Sequence, residues 1–304
     1  MSDAPGIDVF ETVRPKLMGL AYRMLGSMAD AEDAVQDTYL KWQSTDRAGI
    51  LNPEAFLTTV CTNCCLDTLK AAHRKRVDYV GPWIPEPLQF ESGSDPETDL
   101  DRAQSLTTAF LLLLERLSPK ERAAYLLREI FAKPYDEVAE TLGVTEQACR
   151  QLVSRASRHV QGPTSRFVPP ADHQDRILSA FLTAIETGST DHLTGLLAET
   201  VQLQSDGGGK ATAMSRILEG ADEVARYAVL ILGRLWEPCQ IKILDLNGTR
   251  GLVMFYGDEI VTAVMFAYDA DGRLERIYNM RNPDKLARLK VKLRHDRSSG
   301  AIWH

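Results

Sequence analysis

The sequence predicts a multidomain protein. Two all-α units, a helical bundle and then a helix-turn-helix, precede an α+β unit with a curved sheet. Three observations predict this. Apolar residues recur at helical spacing over residues 8–76 and again over 102–161. Beyond residue 172 the pattern changes to β-type runs separated by turn signals such as Asn247-Gly248 and Asp271-Gly272. Between the two helical stretches lies an acidic Ser/Gly/Pro-rich segment of linker composition. A length of 304 residues fits two to three domains at about 150 residues each.

The expected units are residues 8–78, a linker over 79–101, a second helical unit over 102–161, the α+β unit over 172–290, and a basic tail over 291–304. In the first, Leu17, Leu20, Ala21, Met24 and Leu25 share one helical face. Ala31, Ala34, Val35, Thr38 and Tyr39 share the next, and a third helix follows Asn52-Pro53 and ends in His73-Arg74-Lys75-Arg76. Helical periodicity then stops: Tyr79 to Leu88 holds three prolines and a glycine. Trp83, flanked by prolines, is an aromatic on a stiff extended segment, suited to docking in a groove. Ser118-Pro119-Lys120-Glu121 restarts a helix with a Ser cap, Pro at the first position and Glu three residues after the cap. In the last unit, helical patterns at Gln174–Glu186 and Thr190–Leu197 lead into five β-type runs. These are Val201–Gln204, Gln240–Leu246, Gly251–Tyr256, Ile260–Tyr268 and Arg273–Tyr278.

Composition excludes several classes. Apolar residues make up 44% and charged residues 25%, ordinary for a globular chain. No stretch approaches the length a membrane span needs, residues 1–10 carry acids and no apolar core of a secretory signal, and five cysteines give no even disulfide framework. A cytoplasmic location is the expectation. The net charge is −7, but it is unevenly spread. Residues 86–101 carry six acids and no base, whereas 102–167 carry ten bases against seven acids and form the one net-basic unit.

The strongest motif is Tyr135–Ala156, which fits a helix-turn-helix. Ala139 is the small contact residue, Gly143 the turn, and Val138, Leu142, Val144 and Leu152 the packing set, with Thr145 capping the second helix. That helix presents Gln147, Arg150, Gln151, Ser154, Arg155 and Arg158. Gln and Arg can donate paired hydrogen bonds to base edges, and Arg neutralises phosphate. A helical hairpin with a solvated charged face is the bland alternative. Cys61, Cys64 and Cys65 share one helical face and read as core residues; no second paired set supports a metal.

Together these pieces resemble the extracytoplasmic-function sigma factors of bacterial RNA polymerase. Ala29-Asp30-Ala31-Glu32-Asp33-Ala34-Val35-Gln36-Asp37-Thr38-Tyr39-Leu40 looks like sigma region 2, and the helix-turn-helix looks like region 4. Three further strings resemble the sigma-J type, which carries a C-terminal SnoaL-like (NTF2-type) domain. They are Tyr79-Val80-Gly81-Pro82-Trp83-Ile84-Pro85-Glu86-Pro87, Asp206-Gly207-Gly208-Gly209-Lys210 and Asn282-Pro283-Asp284-Lys285-Leu286. The resemblance implies that core RNA polymerase, through its β′ clamp helices and β flap, and promoter DNA are the partners. Asp33, Gln36 and Asp37 would meet the clamp helices. Asn63, Asp67, Arg74, Lys75 and Arg76 would read the −10 element as unpaired bases. The helix bearing Gln147, Arg150, Gln151, Ser154, Arg155 and Arg158 would read −35. Cys64-Cys65 and Lys70 depart from the common region 2 pattern. Trp83, Pro85 and the other two strings would lie at interdomain contacts.

No catalytic residue, cofactor or metal is assigned, and a small ligand in the C-terminal unit stays open. Asp206, Tyr256 and Glu259 could line an acid/base pocket in a SnoaL-like fold, but fold alone settles no activity. Two alternatives remain: a ligand-responsive DNA-binding regulator acting without polymerase, and a SnoaL-like cyclase or isomerase tethered to a DNA-binding module. The acidic string Asp30–Leu40 disfavours the first, and a buried carboxylate in a closed pocket would favour the second.

Overall fold

The computed structural model describes residues 4–76, 79–89, 106–160, 167–289 and 291, without the side chains of 4–8 and 72–76. Three helices form the first unit: α1 (Ala4–Leu25), α2 (Met28–Ser44) and α3 (Pro53–Arg76). Gly26 turns the chain between α1 and α2 at φ +66°, a conformation costly to a residue with a Cβ. Ser27 Oγ then caps α2 by accepting the Asp30 amide at 3.3 Å. Leu17, Ala21, Met24, Ala34, Val35 and Leu57 fill the interior, and Cys61 and Cys65 are fully buried among them.

The second unit contains α4 (Thr108–Glu115), α5 (Pro119–Tyr125) running into a π-helical turn at Leu126–Ile130, α6 (Tyr135–Leu142) and α7 (Glu146–Val160). Ser118 and Glu121 cap each other reciprocally at the start of α5. Gly143 ends α6 at φ +60°, and Thr145 Oγ1 accepts the Ala148 amide at the start of α7. The two helical units share one apolar core. α3 packs on α5 and α6, and the Thr59 and Thr141 hydroxyls pair at 2.9 Å across the contact. Arg122, 3% exposed, donates from α5 to the Met24 carbonyl at 2.5 Å and to Glu115 at 2.6 Å. Burial pulls its pKa down to about 10.

Residues 79–89 have the composition of a linker but are not loose. They form an extended strap with Ile84, Pro85, Glu86 and Pro87 buried. Residues 90–105, most of the acidic segment, lie outside the described residues.

The third unit opens with α8 (Ala171–Glu186) and α9 (Thr190–Leu196). Six strands follow: β1 (Leu197–Asp206), β2 (Leu218–Glu219), β3 (Gln240–Leu246), β4 (Thr249–Tyr256), β5 (Glu259–Tyr268) and β6 (Leu274–Met280). Their order in the sheet is β2-β1-β6-β5-β4-β3, with β1 and β6 parallel and every other pair antiparallel. Between β2 and β3 run α10 (Ala221–Tyr227), a π-helical turn at Ala228–Leu232 and α11 (Gly233–Trp236); α12 (Pro283–Leu286) follows β6.

Both sheet faces are covered. Leu252, Met254, Phe266 and Ile277 meet Leu178, Phe181, Leu232 and Trp236 of the helices. Val253, Phe255, Met265 and Tyr278 point the other way, onto Ile84 of the strap, Leu286, and partly buried Ala109 and Leu112 of α4. The alternation follows the strand period of two. Three sequence readings need correction: β1 begins at Leu197 rather than Val201, α9 ends one residue early to feed it, and β2, α10 and α11 fill a stretch that showed no clear pattern.

Candidate nucleic-acid interface and interdomain clasp

On α2, Ala31, Ala34, Val35 and Thr38 face the core, which turns Glu32, Asp33, Gln36 and Asp37 to solvent. Negative side chains early in a helix are favoured by its dipole. Arg288, from the end of the third unit, pairs with Glu32 at 2.8 Å, so that unit reaches the acidic face itself. On α3, Asn63 and Asp67 are exposed, and Asp67 pairs with Lys70 at 2.9 Å. The side chains of Arg74, Lys75 and Arg76 lie outside the described residues, as do Lys290, Lys292, Arg294 and Arg297 of the tail.

The second helix of the helix-turn-helix, α7, buries Cys149, Val153, Ala156 and Val160 and exposes Gln147, Arg150, Gln151, Ser154, Arg155 and Arg158. The donors therefore lie on one outward face. Arg150 pairs with Glu146 and stacks over Tyr135, Arg155 pairs with Glu121 at 2.7 Å, and Arg158 donates to the Ser154 carbonyl at 3.3 Å. The Arg155 hydrogen bond, aided by Ser118, holds the Glu121 carboxyl below its ordinary value.

The interdomain strings converge on one carboxylate. Asp206 is fully buried at the end of β1. One of its oxygens accepts from the Tyr79 hydroxyl at 2.6 Å and from the Gly208 amide at 3.0 Å. The other accepts from the Ile84 amide at 2.9 Å and from Lys285 Nζ at 2.7 Å. Lys285 also donates to the Ile84 carbonyl at 2.6 Å and lies 4.5 Å from the Trp83 ring centre, a cation–π distance. Asn282 caps α12 by accepting the Asp284 amide and donates to the Tyr79 hydroxyl at 3.1 Å. Pro283 fills the first helical position, and Leu286 is buried. Burial and the adjoining Asp206 push the Tyr79 phenol well up. The glycine loop lies on this assembly. A Cβ on Gly207 would meet the Ala211 carbonyl, one on Gly208 would meet Asn282, and Gly209 faces Val80. Lys210 pairs with Asp284 at 2.5 Å.

The strap's other side grips the first unit. Trp83 packs over Gly26, and Pro85 is buried. Glu86 accepts from Ser27 Oγ at 2.9 Å and the Met28 amide at 2.8 Å, at the start of α2. Burial raises its pKa despite these bonds. The Tyr22 hydroxyl donates to the Glu86 carbonyl at 2.7 Å and accepts from Asn247 at 2.8 Å. Asn247, at the tip of the β3–β4 hairpin, also accepts the Leu88 amide. Sequence reasoning missed Tyr22, Glu86, Arg122 and Asn247 as contact residues. A lone acid within a proline-rich apolar run was the signal available for Glu86; Asn247-Gly248 reads as an ordinary hairpin.

Asp206, Tyr256 and Glu259, which could have lined an acid/base pocket, do not come together. Asp206 is buried in the clasp, whereas Tyr256 and Glu259 are exposed on the β4–β5 hairpin. Among the described residues no cluster of three or more His, Cys, Asp or Glu could hold a metal, and no helix is long and apolar enough to cross a membrane.

Residues 9–75 match sigma-70 region 2, and residues 107–160 match sigma-70, region 4. Two helical readers joined by a strap and clasped by a third unit thus define a sigma-70-type initiation factor. The chain is 34% identical to the ECF RNA polymerase sigma factor SigJ of Mycobacterium tuberculosis, over 98% of each chain. It is 28% identical to the probable ECF RNA polymerase sigma factor SigI of the same species, over 92% of this chain and 94% of that one. A crystal structure of the M. tuberculosis SigJ superposes with a TM-score of 0.71 at 33% identity, covering 92% of this chain and 98% of the other. The chain belongs to the ECF RNA polymerase sigma factors, with a C-terminal unit of helices on a mixed six-stranded sheet. It is a transcription initiation factor that works with core RNA polymerase and promoter DNA; it is not an enzyme.

Proposed function

We propose that Asp33, Gln36 and Asp37 dock on the β′ clamp helices of the polymerase and that the second helical unit meets the β flap. Asn63 and Asp67, with Arg74, Lys75 and Arg76, take the unpaired −10 bases, and α7 reads −35 through Gln147, Arg150, Gln151, Ser154, Arg155 and Arg158. The SnoaL-like unit modulates this activity by holding the readers in a closed arrangement.

The observation that carries the modulation is the direct contact between α3 and α6 at Thr59 and Thr141. The −35 and −10 elements lie about 25 base pairs apart, or about 85 Å at about 3.4 Å per step. Readers whose side chains touch do not span that distance, so engagement of both elements requires them to separate. The clasp at Asp206 and the Arg288–Glu32 pair favour the closed state, because both tie the third unit to the strap or to α2. Polymerase favours the open state if it binds only that one, which is a population shift. The −7 net charge fits a protein whose DNA affinity is supplied largely by its partner.

The test is run-off transcription with purified core polymerase, comparing the intact chain with Asp206→Asn. Changed output over several promoters is expected; unchanged output on all of them would remove the modulating role.

A further inference from the structure

The three cysteines of α3 play no part in the reading or the clasp described above. Cys61 and Cys65 are fully buried, and Cys64 is 6% exposed. All three face the interior of the first unit, as their spacing on a helix requires. Cys64 differs from the other two in what reaches it from α2. Lys41 Nζ donates to its sulfur at 3.4 Å, and the Thr38 hydroxyl lies 3.9 Å from it. Lys41 itself is exposed, and among the described residues no carboxylate pairs with it.

A thiol and an amine held side by side on two helices have one covalent chemistry open to them once an oxidant arrives. Peroxide is small, and it converts a thiol to a sulfenic acid. The ordinary next step is a disulfide, which the helix opposes here. A disulfide needs Cβ atoms about 3.5–4.5 Å apart, whereas helical residues three or four apart hold theirs at about 5–6 Å, and adjacent ones do not face each other. Cys61 and Cys65 stand in those two relations to Cys64. Lys41 approaches from another helix on a flexible four-carbon stem, so it closes the remaining gap without moving backbone.

The geometry points to a covalent bridge between Lys41 and Cys64, formed by peroxide, in which one oxygen joins Nζ to Sγ. First, Sγ attacks a peroxide oxygen; the O–O bond breaks, leaving a sulfenic acid and one water. An N–O bond then forms between Nζ and the sulfenic oxygen, and the two electrons and two protons released reduce a second peroxide to two waters. One thiol, one amine and two peroxides thus become one N–O–S bridge and three waters. Two dithiols reverse it, returning the thiol, the amine and one water.

The bridge also bears on the −10 element, and this part rests on the reading proposed above for Asn63 and Asp67. Cys64 lies between those residues on α3, so the Lys41 ammonium stands on the same side of the unit. A nitrogen bonded to oxygen holds no proton at neutral pH, so the bridge removes that cation and pins α2 to α3. Loss of one phosphate contact weakens binding roughly fivefold at about 0.15 M salt.

The test treats the full chain with hydrogen peroxide, removes the excess with catalase, then unfolds, alkylates and digests it without reductant for mass spectrometry. Expected is a cross-linked pair of peptides holding Lys41 and Cys64, heavier than their sum by one oxygen less two hydrogens, and lost on treatment with dithiothreitol. Lys41→Arg, which keeps the charge at an exposed site, and Cys64→Ala should each give none of it. A Cys64 that stays free for alkylation, ends as a sulfinic or sulfonic acid, or joins Cys61 or Cys65 in a disulfide overturns the bridge. Holoenzyme assembled from treated protein should bind promoter DNA roughly fivefold more weakly, with recovery on reduction, whereas Lys41→Arg should bind alike before and after treatment. A cross-link without that loss, or an equal loss in Lys41→Arg, keeps the bridge and overturns its bearing on the −10 element. Promoter binding by untreated holoenzyme tests the underlying reading separately.

Discussion

Lys285 and Asp206 form an ion pair of 2.7 Å that is almost entirely shut from solvent, and the strap passes through it. Both residues belong to the third unit, yet each also bonds Ile84, Asp206 to its amide and Lys285 to its carbonyl. The pair is thus a clasp on the strap as well as a contact within one unit. Breaking one partner of a buried pair costs about 3–5 kcal/mol because the other charge stays uncompensated. Asp206→Asn is therefore expected to lower stability by about that amount in urea unfolding, and the paired change Asp206→Asn/Lys285→Met by distinctly less. Equal losses would mean that the charge pairing is not what holds the strap.

Gly26 and Gly143 both lie in the left-handed region, at φ +66° and +60°, but only Gly26 has a neighbour in the way. A Cβ there would stand 2.5 Å from the Trp83 ring, and one on Gly143 would meet nothing within 4 Å. Alanine at Gly143 is expected to cost about 1–2 kcal/mol, the backbone penalty alone. At Gly26 the same change should cost about 1–3 kcal/mol more through overpacking. It should also speed protease cleavage in the strap. Thermal unfolding of the two variants side by side checks the difference.

Glu86 gives the clasp a pH dependence. Burial first, opposed by the Met28 amide and Ser27, leaves its folded pKa above the ordinary carboxylate value. The folded chain then keeps a proton that the unfolded chain has lost, so Glu86's contribution falls as pH rises. The window opens near the ordinary value of about 4.3 and closes at the raised one. Urea unfolding from acid to neutral pH should show this decline in the wild type, and Glu86→Gln should remove that part of the slope. A difference between the two proteins that grows in the wild type's favour with pH would reverse the sign and refute it.

On α7 the arginines are unequal. Arg150 and Arg155 have carboxylate partners, whereas Arg158 bonds a backbone carbonyl. For holoenzyme binding to promoter DNA, Arg158→Ala should lower the salt slope by about one phosphate contact, with little change in sequence preference. Gln151→Ala should instead cost about 1–3 kcal/mol at one −35 position. Fluorescence anisotropy across a salt series, with matched and substituted promoters, distinguishes them.

Much of the architecture was legible because local rules carried it. The Ser118 capping box, Gly143 and Thr145 sit where their chemistry requires, and the outward face of α7 follows from the period of Cys149, Val153 and Ala156. The α10–α11 segment was not legible, since a π-helical turn breaks the 3.6-residue repeat across Ala228–Leu232. β4 hid its alternation because Leu252 and Val253 are both buried, on opposite faces. The strap looked like a linker because proline and glycine signal the loss of helix but not what replaces it. Arg122 and Asn247 could not be found from pattern at all: their partners, Met24 and Tyr22, lie 98 and 225 residues away.

The central claim is that the exposed carboxylate face of α2 mounts this chain on a polymerase. The most direct measurement is run-off transcription from a cognate promoter with purified core enzyme, comparing the intact chain with Asp33→Arg/Asp37→Arg. Transcript from the intact chain and none from the variant, which changes only exposed side chains, is the predicted result. Equal transcript from both would contradict it.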